Sequence, residues 1–182
     1  MNKGESDYYT EVTVMPKRIL ILTGDAVEAL EVYYSYFRIL EEGYEAVIAS
    51  PKRKVLRTVV HDFEGLETYT EKLGYQLGAH ISFSEVIPEA YSGLIIPGGR
   101  APEHIRLDKH IPRIVSHFFD MNKPVGAICH AVLVLIALNK KWYFEGRTMT
   151  AYPACRFDVE NLGAIYTTRT PVVNGNLVSG QL

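Results

Sequence analysis

The sequence predicts a single α/β domain built on a mainly parallel central sheet. Residues 17–23 and 45–49 are short apolar runs of the length of buried strands. Residues 26–42, between them, have apolar side chains three or four positions apart, as in a helix. A strand, a helix and a strand in this order indicate a right-handed crossover between parallel strands. The 182 residues suit one domain, since domains commonly have about 100–200 residues.

Residues 52–90 interrupt this alternation of strands and helices. Two short runs, 55–60 and 79–83, are candidate strands, and glycines divide the remainder. The pattern indicates an inserted hairpin or a similar excursion from the sheet.

The regular pattern returns in the second half of the chain. The predicted strands are 93–96, 125–128, 147–151, 164–168 and 171–174, and the predicted helices are 108–121 and 130–138. Asp108 is the candidate N-cap of the first of these helices, and Asn174-Gly175 is typical of a hairpin turn. Residues 1–16 are polar and end at Pro16, so we expect an N-terminal extension ahead of a domain at 17–182.

Composition and charge narrow the classes of partner. The net charge is −2 and no predicted helix carries a block of Lys and Arg, so we expect no nucleic-acid partner. The most apolar run, 125–138, is shorter than the ~20 residues that span a bilayer, so we expect no membrane partner. The chain has two cysteines and its start lacks the apolar core of a secretory signal. We therefore expect reduced thiols and a cytoplasmic protein.

Three strand ends are the expected location of the chemistry. Ligands of parallel α/β sheets bind beyond the carboxyl ends of the strands. Here these ends are the segment after Thr23, the turn Pro97-Gly98-Gly99, and Cys129. If the three strands are neighbours, these segments meet at one edge of the sheet.

Cys129 lies where a predicted strand passes into a predicted helix. A nucleophile elbow has this arrangement, and its turn is tight enough to require small residues two positions before and after the nucleophile. Ala127 and Ala131 occupy these positions. A helix N-terminus also favours a thiolate, which predicts a lowered pKa for Cys129. The alternative is an inert core thiol, since free cysteines are often buried.

Groups near the other two strand ends are candidate partners of the sulfur. The glycines of Pro97-Gly98-Gly99-Arg100 would let backbone N–H groups approach a ligand and stabilise an oxyanion. The alternative is that they only form a tight turn. Asp25, Glu28 and Glu31 follow the first strand. A carboxyl that faces a thiolate is expected to stay protonated and to donate a hydrogen bond to it. The spacing does not show which of the three acids faces the sulfur. The alternative for each acid is a solvated charge near a helix N-terminus.

The histidines limit the mechanisms that the chain can support. They are His61, His80, His104, His110, His117 and His130. None follows residue 130, so the downstream His-Glu pair of a glutamine amidotransferase is excluded. The base is therefore His130 or a histidine from the upstream segment. His104 and His110 near Glu103 do not have metal-ligand spacing, so we expect neither a metal nor another cofactor.

Several of these motifs together resemble the ThiJ/PfpI superfamily, and most closely its PfpI-type branch of intracellular cysteine proteases and deglycases. They are Ala-Ile-Cys-His at 127–130, Pro-Gly-Gly-Arg-Ala-Pro-Glu at 97–103, the helix that carries Glu28, and Tyr152-Pro153. The resemblance runs from Lys17 to about Ser179. It implies a flavodoxin-like three-layer sandwich of the class I glutamine-amidotransferase type. Family members usually continue into a final helix that this chain lacks, and residues 52–90 are longer than in the shortest members, which predicts a different pocket wall.

The resemblance also implies roles for individual residues. Cys129 would be the nucleophile, Glu28 would contact its sulfur, and Gly99 and His130 would supply backbone N–H groups around it. His130 would pair with Glu103 of a neighbouring subunit in a homo-oligomer, which could be a dimer, trimer or hexamer.

The implied substrates are peptides, or 2-oxoaldehydes and their protein adducts in glyoxalase or deglycase chemistry. Gly98, Gly99 and Arg100 would bind the substrate or its oxyanion. The alternative function is a redox-sensing or stress-protective protein that uses oxidation of Cys129 without turnover.

Overall fold

A computed structural model describes residues 17–181 of the chain. Its strands are β1 (Arg18–Leu22), β2 (Val27–Glu28), β3 (Glu45–Ser50), β4 (Val55–Asp62), β5 (Thr70–Gly78), β6 (Ile81–Ser82), β7 (Gly93–Ile96), β8 (Val125–Ile128), β9 (Thr148–Met149), β10 (Ile165–Tyr166), β11 (Val172–Asn174) and β12 (Leu177–Gly180). Its helices are α1 (Ala29–Glu41), α2 (Ala101–Ile105), α3 (Ile111–Asp120), α4 (Val132–Ile136) and α5 (Arg156–Asn161).

A seven-stranded sheet forms the centre of the domain, in the order β11-β12-β8-β7-β1-β3-β6. All neighbouring strands are parallel except β11 and β12, whose antiparallel pair is joined by a turn at Gly175-Asn176, one residue later than the predicted Asn174-Gly175. The predicted α/β class and parallel sheet are confirmed. The order places β8, β7 and β1 side by side, so their carboxyl ends lie at one edge.

Alternate residues of the central strands face two different layers. Leu20 and Leu22 of β1 join one apolar cluster with side chains of α3, α4 and α5. Ile21, between them, joins a second cluster with side chains of α1, β4 and β5. Burial of each such side chain contributes about 1.5–3 kcal/mol. The result is a three-layer sandwich, as the resemblance implied.

The hairpin of β4 and β5 is the inserted segment that the glycine-rich middle of the sequence indicated. The two strands are antiparallel, and β2 pairs with β4 to complete a separate three-stranded sheet. Strand β5 was not predicted, because polar residues and Gly74 hide its pattern. Gly74 marks a close approach of two strands, since a Cβ there would lie 2.4 Å from Thr58 Oγ1.

Several predicted elements have different bounds in the structure. The predicted strand 79–83 is only β6, and the predicted strands 147–151 and 164–168 shrink to β9 and β10. The predicted helix 130–138 is reduced to α4, which follows a 3-10 turn at Cys129–Ala131. Helix α5 was not predicted.

The predicted helix 108–121 corresponds to α3, which is shorter at both ends, and the separate helix α2 before it was not predicted. The N-cap of α3 is His110, and Pro112 occupies its first turn, where a missing N–H costs nothing. Asp108 is not the cap. Its Oδ1 accepts the His110 N–H at 2.9 Å, in a turn that precedes the helix.

Part of the second face of the sheet has no covering layer within residues 17–181. Ile19, Ile95, Gly126 and Val178 line an apolar groove of about 490 Å³ beside α1. Within the same residues, no helix combines the length and apolar character needed to cross a bilayer. The predicted extension at 1–16 lies outside the described residues.

Candidate active site

The carboxyl ends of β1, β7 and β8 converge, as predicted. The turn after β7 lies directly against the residue that follows β8. A Cβ added to Gly98 would be 2.6 Å from Cys129 Cβ and 2.9 Å from Glu31 Oε2. Gly99 has φ +68° and pairs as an isolated bridge with Val27, which follows β1. These contacts require glycine at both positions.

Cys129 has the backbone of a nucleophile elbow. Ile128 is extended, with φ −117° and ψ 138°, whereas Cys129 has φ 55°, a left-handed conformation unusual for a residue with a Cβ. Such strain costs of order 1–3 kcal/mol and is typical of functional sites. The Tyr152 N–H donates to the Cys129 carbonyl at 3.2 Å and helps to hold the turn. The predicted elbow geometry is therefore present.

Glu31, on the first turn of α1, is the acid that faces the sulfur. Its Oε2 accepts the Gly98 N–H, and its carboxyl is close enough to Cys129 to hydrogen-bond with the thiol. The predicted contact between Glu28 and the sulfur is therefore wrong. Glu28 is the N-cap of α1, and its Oε2 accepts the Glu31 N–H at 2.9 Å. Asp25 is turned away, since its carboxylate binds Lys54 and the Arg57 N–H.

The sulfur and the Glu31 carboxyl form a coupled buried pair. Burial raises the pKa of Glu31 from its ordinary 4.5 to about 7, partly offset by the Gly98 N–H. Burial and then the Glu31 charge also raise the pKa of the Cys129 thiol, whereas the N–H groups of Gly99 and His130 lower it. Two anions in contact repel each other, so the pair retains at least one proton near neutral pH.

The predicted lowering of the thiol pKa by a helix N-terminus is wrong for this site. The 3-10 turn at Cys129–Ala131 separates the sulfur from α4, and Cys129 is only 3% exposed. Desolvation therefore dominates over the helix dipole. A thiolate forms here only when the proton moves to a neighbouring group, and the Glu31 carboxyl, with a pKa of about 7, is such a group.

His130 is held against the sulfur by the bend of the elbow. Its Nδ1 lies 3.3 Å from Cys129 Sγ, a contact that adjacent residues of a regular helix cannot make. Its ring stacks on Tyr152, with centroids 4.9 Å apart. Burial lowers the pKa of His130, although the charge of Glu103 opposes this. The imidazole is therefore neutral near pH 7.

The remaining predicted site residues have different surroundings. Gly98 uses its N–H for Glu31, so of the two glycines only Gly99 directs an N–H at the sulfur. The Arg100 guanidinium binds Glu71 of β5. Glu103 is exposed on α2 and makes no hydrogen bond with His130 within residues 17–181. Its pairing with His130 of a neighbouring subunit stays a prediction.

A wall of ring side chains covers the sulfur. Together with Cys129, this wall lines a small cavity. The wall consists of His61 at the end of β4, Phe63 just after β4, Tyr69 just before β5, and Tyr152. The cavity volume of about 10 Å³ corresponds to roughly one water molecule. Sequence reasoning missed this wall. The available signal was the cluster of ring side chains between 61 and 69 in a segment expected to change the pocket.

Replacing Gly98 with Ala tests the close packing of this turn. A methyl group there would collide with Cys129 Cβ at 2.6 Å, and such overpacking costs about 1–3 kcal/mol. We expect a fall in Tm of roughly 2–12 °C in thermal denaturation. Gly78→Ala is the control, because a methyl there meets no atom within 4 Å. A Tm equal to that of the wild type for Gly98→Ala would contradict the geometry of the site.

Comparison with known proteins identifies the class that this fold and site define. The model of the DJ-1/PfpI family matches residues 17–182, and the chain belongs to this family. A deglycase of Pyrococcus abyssi is 37% identical over 165 residues, which are 91% of this chain and 90% of that protein. The relatives thus include proteins named as enzymes, and the resemblance to the PfpI-type branch is confirmed.

Two longer proteins contain a similar domain. Protein DJ-1 homolog D of Arabidopsis thaliana is 36% identical over 177 residues, and this chain spans 45% of its length. A two-domain protein from Anabaena variabilis, with DJ-1/ThiJ/PfpI-like and ferritin-like domains, matches 91% of this chain with a TM-score of 0.75 at 26% identity. This chain covers 43% of that second protein.

The described residues do not include a group of three His, Cys, Asp or Glu side chains arranged to bind a metal ion.

Proposed function

We propose that the protein is a cysteine-dependent enzyme that adds the Cys129 sulfur to the carbonyl carbon of a small 2-oxoaldehyde or of its protein adduct. The observation that supports this most is the buried Glu31 carboxyl beside the sulfur. A carboxyl with a pKa of about 7 both accepts a proton and returns it near neutral pH. The deglycase among the relatives agrees with carbonyl chemistry.

The addition step needs no group beyond those in the site. The thiol proton passes to Glu31, the sulfur forms a bond with the aldehyde carbon, and the π electrons of the carbonyl move to its oxygen. That oxygen then takes the proton back from Glu31, which leaves a neutral hemithioacetal on Cys129. The atoms and charges balance, and the buried site never holds two anions.

The size of the cavity favours small substrates over peptides. The ring wall leaves room for roughly one water above the sulfur, so a two- or three-carbon carbonyl compound requires only a small displacement of Phe63 or Tyr69. An extended peptide would have to displace the whole wall. Peptides, the other class implied by the resemblance, are therefore the second candidate.

A substrate panel tests the proposal. We expect conversion of methylglyoxal to lactate, slower conversion of phenylglyoxal, and no cleavage of a fluorogenic peptide, each measured by product formation. Peptide cleavage without carbonyl turnover would replace the proposal with a protease. No turnover at all, with selective oxidation of Cys129 by mild peroxide in intact-mass spectra, would replace it with the redox-sensing protein.

A further inference from the structure

An imidazole other than that of His130 lines the cavity above the sulfur. His61 comes from β4, and its side chain is only 2% exposed. It lies in the same cavity as Cys129, and a charge on it would lower the pKa of His130. Of the histidines upstream of residue 130, His61 is the one that lines this cavity. The imidazole of His61 thus faces the space that a substrate would occupy, whereas His130 contacts the sulfur itself.

Glu71 orients the ring of His61. Its Oε2 lies 3.2 Å from His61 Nε2. The Arg100 guanidinium donates to both oxygens of the same carboxylate, at 2.7 and 2.5 Å, and holds the pKa of Glu71 at about 2. An anionic carboxylate only accepts hydrogen bonds, so Nε2 carries the proton and Nδ1 of the neutral ring has a free lone pair. Within residues 17–181, Nδ1 makes no hydrogen bond.

Stacking fixes the plane of the ring. Tyr69 lies on His61 with a centroid distance of 4.1 Å and an interplanar angle of 27°. The edge of Tyr69 also contacts the rings of His130 and Tyr152. A general base beside a nucleophile is typically oriented by a carboxylate and held by packing. His61 has the same arrangement, but it faces the substrate space rather than the sulfur.

We propose that His61 is the acid–base group that moves a proton between the two carbonyl carbons of the bound 2-oxoaldehyde, with Glu71 and Arg100 as its positioning residues. This role rests on the proposed function. After the sulfur has added, His61 removes the proton from the former aldehyde carbon. It returns that proton to the neighbouring carbon.

The step balances within the substrate. The electron pair of the broken C–H bond forms a carbon–carbon double bond, and the hydroxyl proton of the former aldehyde passes to the ketone oxygen. When the carbon-bound proton is returned, the former aldehyde carbon has been oxidised to a thioester and the adjacent ketone carbon reduced to an alcohol, so no external oxidant or reductant is needed. Water then releases the 2-hydroxy acid from Cys129. His61 ends the step in the protonation state in which it began.

The variant His61→Phe tests the proposal while keeping a ring against Tyr69. We expect kcat for methylglyoxal to fall by about 10²–10⁴-fold, the usual contribution of a general acid–base group. The alkylation of Cys129 by iodoacetamide should keep its wild-type rate. We also expect the pH profile of kcat to lose one ionisation, and Glu71→Gln to lower kcat with Arg100 left in place.

The matched control is His117→Phe, because His117 on α3 is also paired with a glutamate, at 3.6 Å from Glu89 Oε1, but does not line the cavity of Cys129. It should leave kcat unchanged. Wild-type kcat in a folded His61→Phe protein would overturn the role of His61. A fall in kcat that is matched by slower Cys129 alkylation would show a purely structural role. A wild-type protein without carbonyl turnover would instead remove the proposed function, and the role of His61 with it.

Discussion

Replacement of Cys129 with Ser is expected to reduce turnover of methylglyoxal by about 10³-fold or more, since loss of a nucleophile removes the covalent path. A serine hydroxyl is a much weaker acid than a thiol, so Glu31 cannot take its proton at neutral pH. The measurement is the rate of lactate formation, with thermal denaturation to show that the variant is folded.

Cys155 provides the control for this experiment. It is also buried, and burial raises the pKa of its thiol to about 11, but it is not adjacent to Glu31. We expect Cys155→Ala to retain turnover. Full activity in Cys129→Ser would exclude a covalent role for that sulfur.

Replacement of Glu31 with Gln is expected to lower kcat/KM by about 10²–10⁴-fold, because the thiol loses the group that takes and returns its proton. Glutamine still accepts the Gly98 N–H, so the turn after β7 keeps its support. Glu28→Gln is the matched control, since an amide oxygen can still cap α1 through the Glu31 N–H. A larger loss in Glu28→Gln than in Glu31→Gln would reverse the assignment of the two acids.

The pH dependence of stability provides a second readout of Glu31. Its pKa is about 7 in the folded protein and near 4.5 when exposed, so the folded state binds more protons between these values. The free energy of unfolding therefore falls as the pH rises through this range, by up to about 3 kcal/mol from this group. Glu31→Gln should lack this loss when the two proteins are compared by denaturant unfolding at pH 4.5 and 7.5.

Local patterns were sufficient to predict the centre of the fold. Strands β7 and β8 have the predicted bounds, because strands buried on both faces are continuous apolar runs. The start of α1 was predicted three residues too early, since Val27 and Glu28 pair with β4 as strand β2. That pairing is a tertiary contact, and no local signal in the sequence marks it.

The candidate site likewise contains one residue that a local pattern identifies and others that only tertiary contacts bring together. Cys129 could be identified because an elbow is a local arrangement of small residues, strand and helix. The choice of Glu31 over Glu28 depends on which residue caps α1, and this follows from the β2 pairing. His61 and Tyr69 reach the sulfur only because β4 and β5 fold over it, which requires a strand that the sequence did not reveal.

The central claim is that Cys129 and Glu31 act as one proton-sharing pair, and the pH dependence of Cys129 alkylation by iodoacetamide tests it most directly. In a Cys155→Ala background, the rate should rise with a midpoint near 7, the pH at which the pair loses its first proton. With Glu31→Gln added, the midpoint should move above 9, the ordinary pKa of a cysteine, because the buried thiol then ionises alone. The same midpoint with and without the Glu31 carboxyl would contradict the account.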